Sequence, residues 1–201
     1  IAMRMVNNIY AASADPIIRF KVSSATYMTD ATYQPYIENS RSPNGYDLHE
    51  TLNKYSSYMY TYRNYFAKHD LAPLLVGNKN SWESKDKSGN WVRNLTGVSW
   101  LAGGCYEDES TEKSYKTSVV IDHGAKWEGV VALAHELGHG LGAGNDGQGS
   151  AGSCDDSSNT LMSYRGGASN TDIFSFSSCS SEAMRNFIRY RNGFTSNCVY
   201  T

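Results

Sequence analysis

Apolar positions recur along this chain with two different periods, and the switches between them outline its elements. Near the start, Met5, Val6, Ile9 and Tyr10 lie at helical spacing, which predicts a helix over Met3 to Ala12 ended by Asp15-Pro16. Ile18, Phe20 and Val22 then alternate with Arg19 and Lys21, the pattern of a strand with one buried face. A long helix is predicted after Gly45. Asp47 is its N-cap, Glu50 completes a capping-box-like pair, and Leu48, Leu52, Tyr55, Met59, Tyr62 and Phe66 form one apolar stripe.

Leu74-Leu75-Val76 reads as a short buried strand, and Lys85 to Asn90, within polar residues 78–94, as an exposed hairpin or loop. Val98 to Ala102 reads as a strand closed by Gly103-Gly104, and Val119-Val120-Ile121 as a further buried strand. Helical spacing resumes at Trp127, with Val130, Val131, Ala134, Leu137 and Leu141 on the core face. Residues 142–160, rich in Gly, Ser, Asn and Asp, form a loop. Ser181 to Asn192 is a last amphipathic helix through Met184, Phe187 and Ile188, with Gly193 as its C′ stop. The order is mixed α/β, with helices crossing a sheet.

Composition narrows the function classes. At 201 residues, 40% hydrophobic and 19% charged, the chain is globular and of single-domain size. A net charge of −2 without a run of Lys or Arg argues against a nucleic-acid binder or a polybasic membrane module. No apolar run approaches the ~18 residues of a membrane span. The four cysteines, Cys105, Cys154, Cys179 and Cys198, include no Cys-x-x-Cys pair and permit two disulfides in any of three connectivities. With the sequon Asn94-Leu95-Thr96 they point to an oxidising compartment; four free thiols in a cytosolic protein are the alternative. The chain opens at Ile1 without an initiator Met or a signal-cleavage pattern, as a processed or truncated N-terminus does.

The chemistry concentrates in Ala134 to Gly147, AHELGHGLGAGNDG. His135 and His139, four apart on a helix, stand one turn apart on one face and can converge on a Zn²⁺. Glu136 lies beside the first of them, placed to take a proton from a water that the ion acidifies. Two exposed histidines on an amphipathic helix are the alternative. Gly142 stands where the helix must stop and turn, so that residue 145 follows as the next donor position; here it is Asn145, followed by Asp146. Met162, in Leu161-Met162-Ser163-Tyr164, reads either as a core methionine or as a thioether packed beneath the metal. His49, His69 and His123 have no partner at ligand spacing.

These motifs resemble the metzincin metallopeptidases, HExxHxxGxx(H/D) followed by a Met-turn, in their adamalysin (reprolysin) branch with its snake-venom, tick and scorpion members. Supporting stretches are His69 to Leu75, TGVSWLAGGC at Thr96 to Cys105, SVVIDHG at Ser118 to Gly124, and Phe174 to Cys179. The resemblance implies an α/β, zincin-like catalytic domain over 1–201, with subdomains of about 1–144 and 145–201. It implies a zinc endopeptidase of extracellular proteins, in a venom or salivary setting. His135, His139 and Asn145 would be its metal ligands and Glu136 its general base. The alternative is a catalytically impaired binding protein or toxin of the same fold.

The same resemblance places an extended polypeptide substrate along Val98 to Gly103 and an S1′ pocket between the active-site helix and residues 163–176. It pairs Cys105 with Cys198 and Cys154 with Cys179. The implied protein is secreted and monomeric, with no nucleic-acid or membrane partner. Several positions depart from the family pattern. The third ligand is ordinarily His, whereas the neutral amide of Asn145 is a weaker zinc donor. Asp146, structural in the family, is the alternative donor. The chain begins within what should be the first long helix. Asp70 alone matches the accessory calcium site, so calcium is not expected. Tyr164 matches the transition-state donor of other metzincins, or else packs under the Met-turn.

Overall fold

The computed structural model describes residues 2–12, 17–29, 34–77, 81–93, 95–122, 124, 127–163 and 174–194, side chains of 191–194 excepted. The first helix, α1 (Ala2–Ala12), buries Val6, Ile9 and Tyr10 as its periodicity requires; its predicted Asp15-Pro16 stop lies outside the described residues. The alternating segment after it is not a strand. Ile18 is buried and Val22 exposed, but the Phe20 N–H donates to Asn7 Oδ1 (2.7 Å) and the Asn7 amide donates to the Phe20 carbonyl (2.9 Å). One side chain of α1 thus satisfies the backbone groups that a neighbouring strand would have taken.

A short helix, α2 (Pro35–Glu38), and two short strands, β1 (Arg41–Ser42) and β2 (Gly45–Asp47), lead into α3 (Leu48–Thr61). The Asp47 carboxylate caps α3 by accepting from the His49 and Glu50 N–H groups. The capping box is not closed: the Asp47 N–H donates to the Ser40 carbonyl, and Glu50 pairs with Lys54. Tyr62 and Phe66 of the predicted stripe fall beyond the end of the helix.

The strands β3 (Ala72–Val76), β6 (Gly97–Ser99) and β9 (Thr117–Ile121) form one mixed sheet in the order β3-β9-β6. β9 is parallel to β3 and antiparallel to β6, with Gly97 opposite Val120 and Ser99 opposite Ser118. A second sheet, β1-β2-β4-β5, carries the predicted hairpin, in which β4 (Trp82–Lys85) pairs antiparallel with β5 (Trp91–Val92). A small hairpin joins β7 (Glu107–Asp108) and β8 (Lys113–Ser114).

β9 is buried along its whole length because helices cover both faces. Val119 and Ile121 pack with Leu48 and Leu52 of α3. Val120 points the other way, into a core with Val6 and Tyr10 of α1 and Leu133 and Leu137 of α4 (Glu128–Gly140). The closing helix α5 (Ser178–Phe194) adds Met184 and Phe187 to that core and runs past the predicted stop at Gly193. The predicted strand to Ala102 ends earlier, at Ser99. Ala102 turns back with φ +57°, and its N–H donates to the carbonyl of His139, so the C-terminus of α4 captures the chain.

Candidate metal centre

Two irregular devices turn the helix α4 into a site. The first is its C-terminus. Gly142 has φ +92°, its N–H donates to the His139 carbonyl, and the Ala143 N–H donates to the Gly138 carbonyl. This is a Schellman stop, and the left-handed residue has to be glycine because a Cβ there clashes with the backbone. The second is the turn at Leu161-Met162-Ser163. The Asp146 N–H donates to the Met162 carbonyl, and Asp146 forms a parallel bridge with Ser163. Met162 is fully buried, and a Cβ added to Gly138 would lie 2.9 Å from its Sδ, so the thioether runs directly under the histidine helix.

Each device also orients one imidazole. His139 Nδ1 lies 2.7 Å from the Ala143 carbonyl oxygen, and His135 Nδ1 lies 2.7 Å from that of Leu161. A carbonyl can only accept, so both Nδ1 atoms carry the proton and both Nε2 atoms keep a free lone pair. The ring centroids are 4.6 Å apart and nearly perpendicular. Burial depresses both histidines. It brings His139 to about 4, with the neighbouring His135 adding to the effect, and it outweighs the Leu161 carbonyl and the Asn145 amide at His135. Neutral imidazoles at physiological pH are what a metal requires.

Asn145 is placed beside His135, where its amide would pair with a protonated ring; with Nε2 unprotonated, the buried Oδ1 has no hydrogen bond. An amide oxygen left unpaired at such cost is an acceptor awaiting a cation or a water. Asp146 is spent elsewhere. Fully buried, it accepts from Thr160 Oγ1 and, at 2.6 Å, from Ser177 Oγ. It therefore joins the Met162 turn to the start of α5, and Asn145 is left facing the histidines. Among the described residues, no three of His, Cys, Asp and Glu gather as metal ligands.

Glu136 is 4% exposed, with Oε2 unpartnered, and burial pushes its carboxyl up to about 8. A dication on the neighbouring imidazoles would pull it back towards the carboxylate. This donor set, two free Nε2 atoms and one orphaned amide oxygen beside an orphaned carboxyl, fits a zinc ion. Tyr164, Asn94, His123, Cys198 and most of the expected S1′ wall lie outside the described residues.

Beside His139 lies a cleft of about 380 Å³, lined also by Ser99, Leu101, Gly144, Asn145 and Gln148 among others. Its upper rim is the end of β6, the terminal strand of its sheet. That rim is held from behind: Trp100 Nε1 donates to Ser56 Oγ (2.8 Å), and Ser56 is hydrogen-bonded to Thr117 Oγ1 (2.6 Å). Cys154 and Cys179 are joined, and Cys105 is also in a disulfide. The orienting carbonyls of Ala143 and Leu161 carry no sequence signal, since any residue supplies a carbonyl.

A mixed α/β domain with paired helical histidines, a glycine-stopped helix and a buried methionine turn defines a zincin-type peptidase fold. Residues 2–177 match the Metallo-peptidase family M12 in its reprolysin form, and the chain belongs to that family. It is also 23% identical over 198 residues to "A disintegrin and metalloproteinase with thrombospondin motifs like" of Bombyx mori. That match covers 95% of this chain and 28% of the silkworm protein. Among the described residues, no helix is long and apolar enough to cross a membrane.

Proposed function

We propose that this chain is a zinc-dependent endopeptidase domain that hydrolyses internal bonds of extended polypeptides. What supports the reading is a pair of imidazoles 4.6 Å apart, each with Nδ1 hydrogen-bonded to a carbonyl and Nε2 left free, with the unpartnered Asn145 Oδ1 beside His135 and the buried Glu136 next in sequence. His135, His139 and Asn145 would hold the ion. Zinc held there would supply Lewis acidity toward a peptide carbonyl and its water. Glu136 takes the proton of the attacking water on its carboxylate and returns it to the leaving amine. The outer edge of β6, the end strand of its sheet among the described residues, would hydrogen-bond the substrate main chain as an added strand and lay it across the cleft. Tyr164, two residues beyond Met162, is the candidate donor to the transition-state oxygen. The disulfides support a secreted protein, and the venom and salivary resemblance supports a toxin setting.

Metal analysis of the purified protein, with peptide hydrolysis measured before and after chelation and zinc return, tests the reading. One zinc per chain and chelator-sensitive hydrolysis are expected. Glu136→Gln should keep the zinc and lose roughly 10²–10⁴-fold in rate. A second reading, an impaired binding domain of the same fold, is favoured by the amide at residue 145. It predicts protein that neither retains zinc nor cleaves peptides when zinc is supplied.

A further inference from the structure

Gly97 opens β6, is buried, and sits opposite Val120 in the sheet. Glycine weakens a strand, and nothing in the backbone demands it here, because its φ lies outside the left-handed region. Its neighbourhood gives the reason. A Cβ built at Gly97 would lie 2.7 Å from Glu136 Oε1, 2.8 Å from its Cγ and 3.0 Å from its Cδ. All three of the nearest atoms belong to that one side chain. The volume a side chain would take on β6 is filled by the Glu136 carboxyl and the methylene behind it.

The contact is more than a close approach of a flexible tip. Glu136 is almost wholly buried, and its Oε2 has no hydrogen-bond partner among the described residues. Packing against the strand defines its position: α4 supplies the root, and the bare backbone of Gly97 supplies a wall. That wall belongs to β6, the end strand of its sheet among the described residues.

We propose that Gly97 is a positioning residue for Glu136: its missing side chain forms the cradle that sets the carboxyl against the peptide-binding strand. The inference deepens the endopeptidase reading and rests on it for its catalytic meaning. The same residue then sets the height of the base and, through the strand, the position of the peptide. A base displaced by the width of a methyl group loses its line to the attacking water, whereas the strand edge still binds peptide.

Two measurements test this, one of them independent of catalysis. In thermal unfolding of the metal-free protein, Gly97→Ala should lower Tm by about 3 °C or more, the scale of an overpacked core contact. On a Glu136→Ala background, where the space has been vacated, the same change should cost nothing. If Gly97→Ala alone does not fold while the double variant does, the cradle is equally supported. Equal losses on both backgrounds, no loss on the parent, or failure of both variants to fold would overturn it.

With zinc loaded, Gly97→Ala should reduce kcat on the order of 10–100-fold, with KM and zinc stoichiometry little changed. On Glu136→Asp, whose shorter side chain leaves room for the methyl, Gly97→Ala should cost less than about threefold. A loss confined to KM assigns Gly97 to peptide binding and overturns the positioning role. A parent protein that cleaves nothing removes the endopeptidase reading, and the unfolding cycle then still decides the contact.

Discussion

The Tyr10 hydroxyl donates a 2.8 Å hydrogen bond to the carbonyl oxygen of Ala134, joining α1 to the histidine helix across 124 residues of sequence. Tyr10 also packs edge-on against Phe20 and tilted against Phe176, at 4.8 and 4.7 Å between centroids. The buried ring is therefore a spacer that sets how far α4 stands from the N-terminal segment and from the chain leading into α5. Tyr10→Phe keeps the ring and removes the bond. Thermal unfolding should show a loss of about 1 kcal/mol, or roughly 2–4 °C for a chain of this size.

Met162 is fully buried beneath Gly138, in the core shared by α1, α4 and α5. Met162→Ala should cost about 2–5 kcal/mol in chemical denaturation, because the core cannot close over the missing thioether. Met162→Leu conserves volume and should cost less than about 1.5 kcal/mol. The contrast separates packing from any dependence on sulfur.

In the proposed zinc site, residue 145 sets the metal affinity. The Asn145 amide oxygen is a weaker zinc donor than imidazole. Asn145→His should tighten zinc by about tenfold or more in competition with a graded series of chelators. It should also raise peptide hydrolysis at limiting zinc. Unchanged affinity and activity would place residue 145 outside the coordination sphere and hand the third position to solvent.

Alkaline pH should unfold the protein through its tyrosines. Burial pushes Tyr36 up to about 12 and Tyr55 further still, with neighbouring phenols adding to the effect. In the unfolded chain each phenol ionises near 10. Between those values the unfolded state binds fewer protons than the folded one, so stability is intact below about pH 10 and falls as pH rises. Each such group contributes up to about 1.4 kcal/mol per pH unit in that window. Melting curves from pH 8 to 11 should show the fall, and the pair Tyr36→Phe with Tyr55→Phe should lessen it, the rest coming from buried Tyr10, whose phenol is also raised by burial.

Much of this arrangement was legible in the sequence. The spacing of His135 and His139, the Gly142 stop, and the stripes of α1, α3 and α4 are local patterns, and local geometry turns each into one outcome. The pairing of Cys154 with Cys179 agrees with what the family resemblance implied. Periodicity misled at Ile18 to Val22, because alternation shows which side chains are buried but not whether the backbone pairs with a strand or with the Asn7 side chain. It also overran β6, because no local signal announces that the end of α4 captures the chain at Ala102.

What the sequence alone determined is therefore the chemical inventory and the helix that displays it: two imidazoles and a carboxyl on one turn, followed by a glycine. Only the tertiary structure decided how they are aimed. The carbonyls that hold the imidazoles come from Ala143 and from Leu161, 26 residues beyond His135. The turn of Asp146 into the C-terminal loops leaves Asn145 at the site. The wall that sets Glu136 is the absence of a side chain on a strand 39 residues upstream. Backbone carbonyls and missing atoms leave no mark in a one-dimensional pattern. Their effect arises when packing brings them against a buried group that must be paired or accommodated.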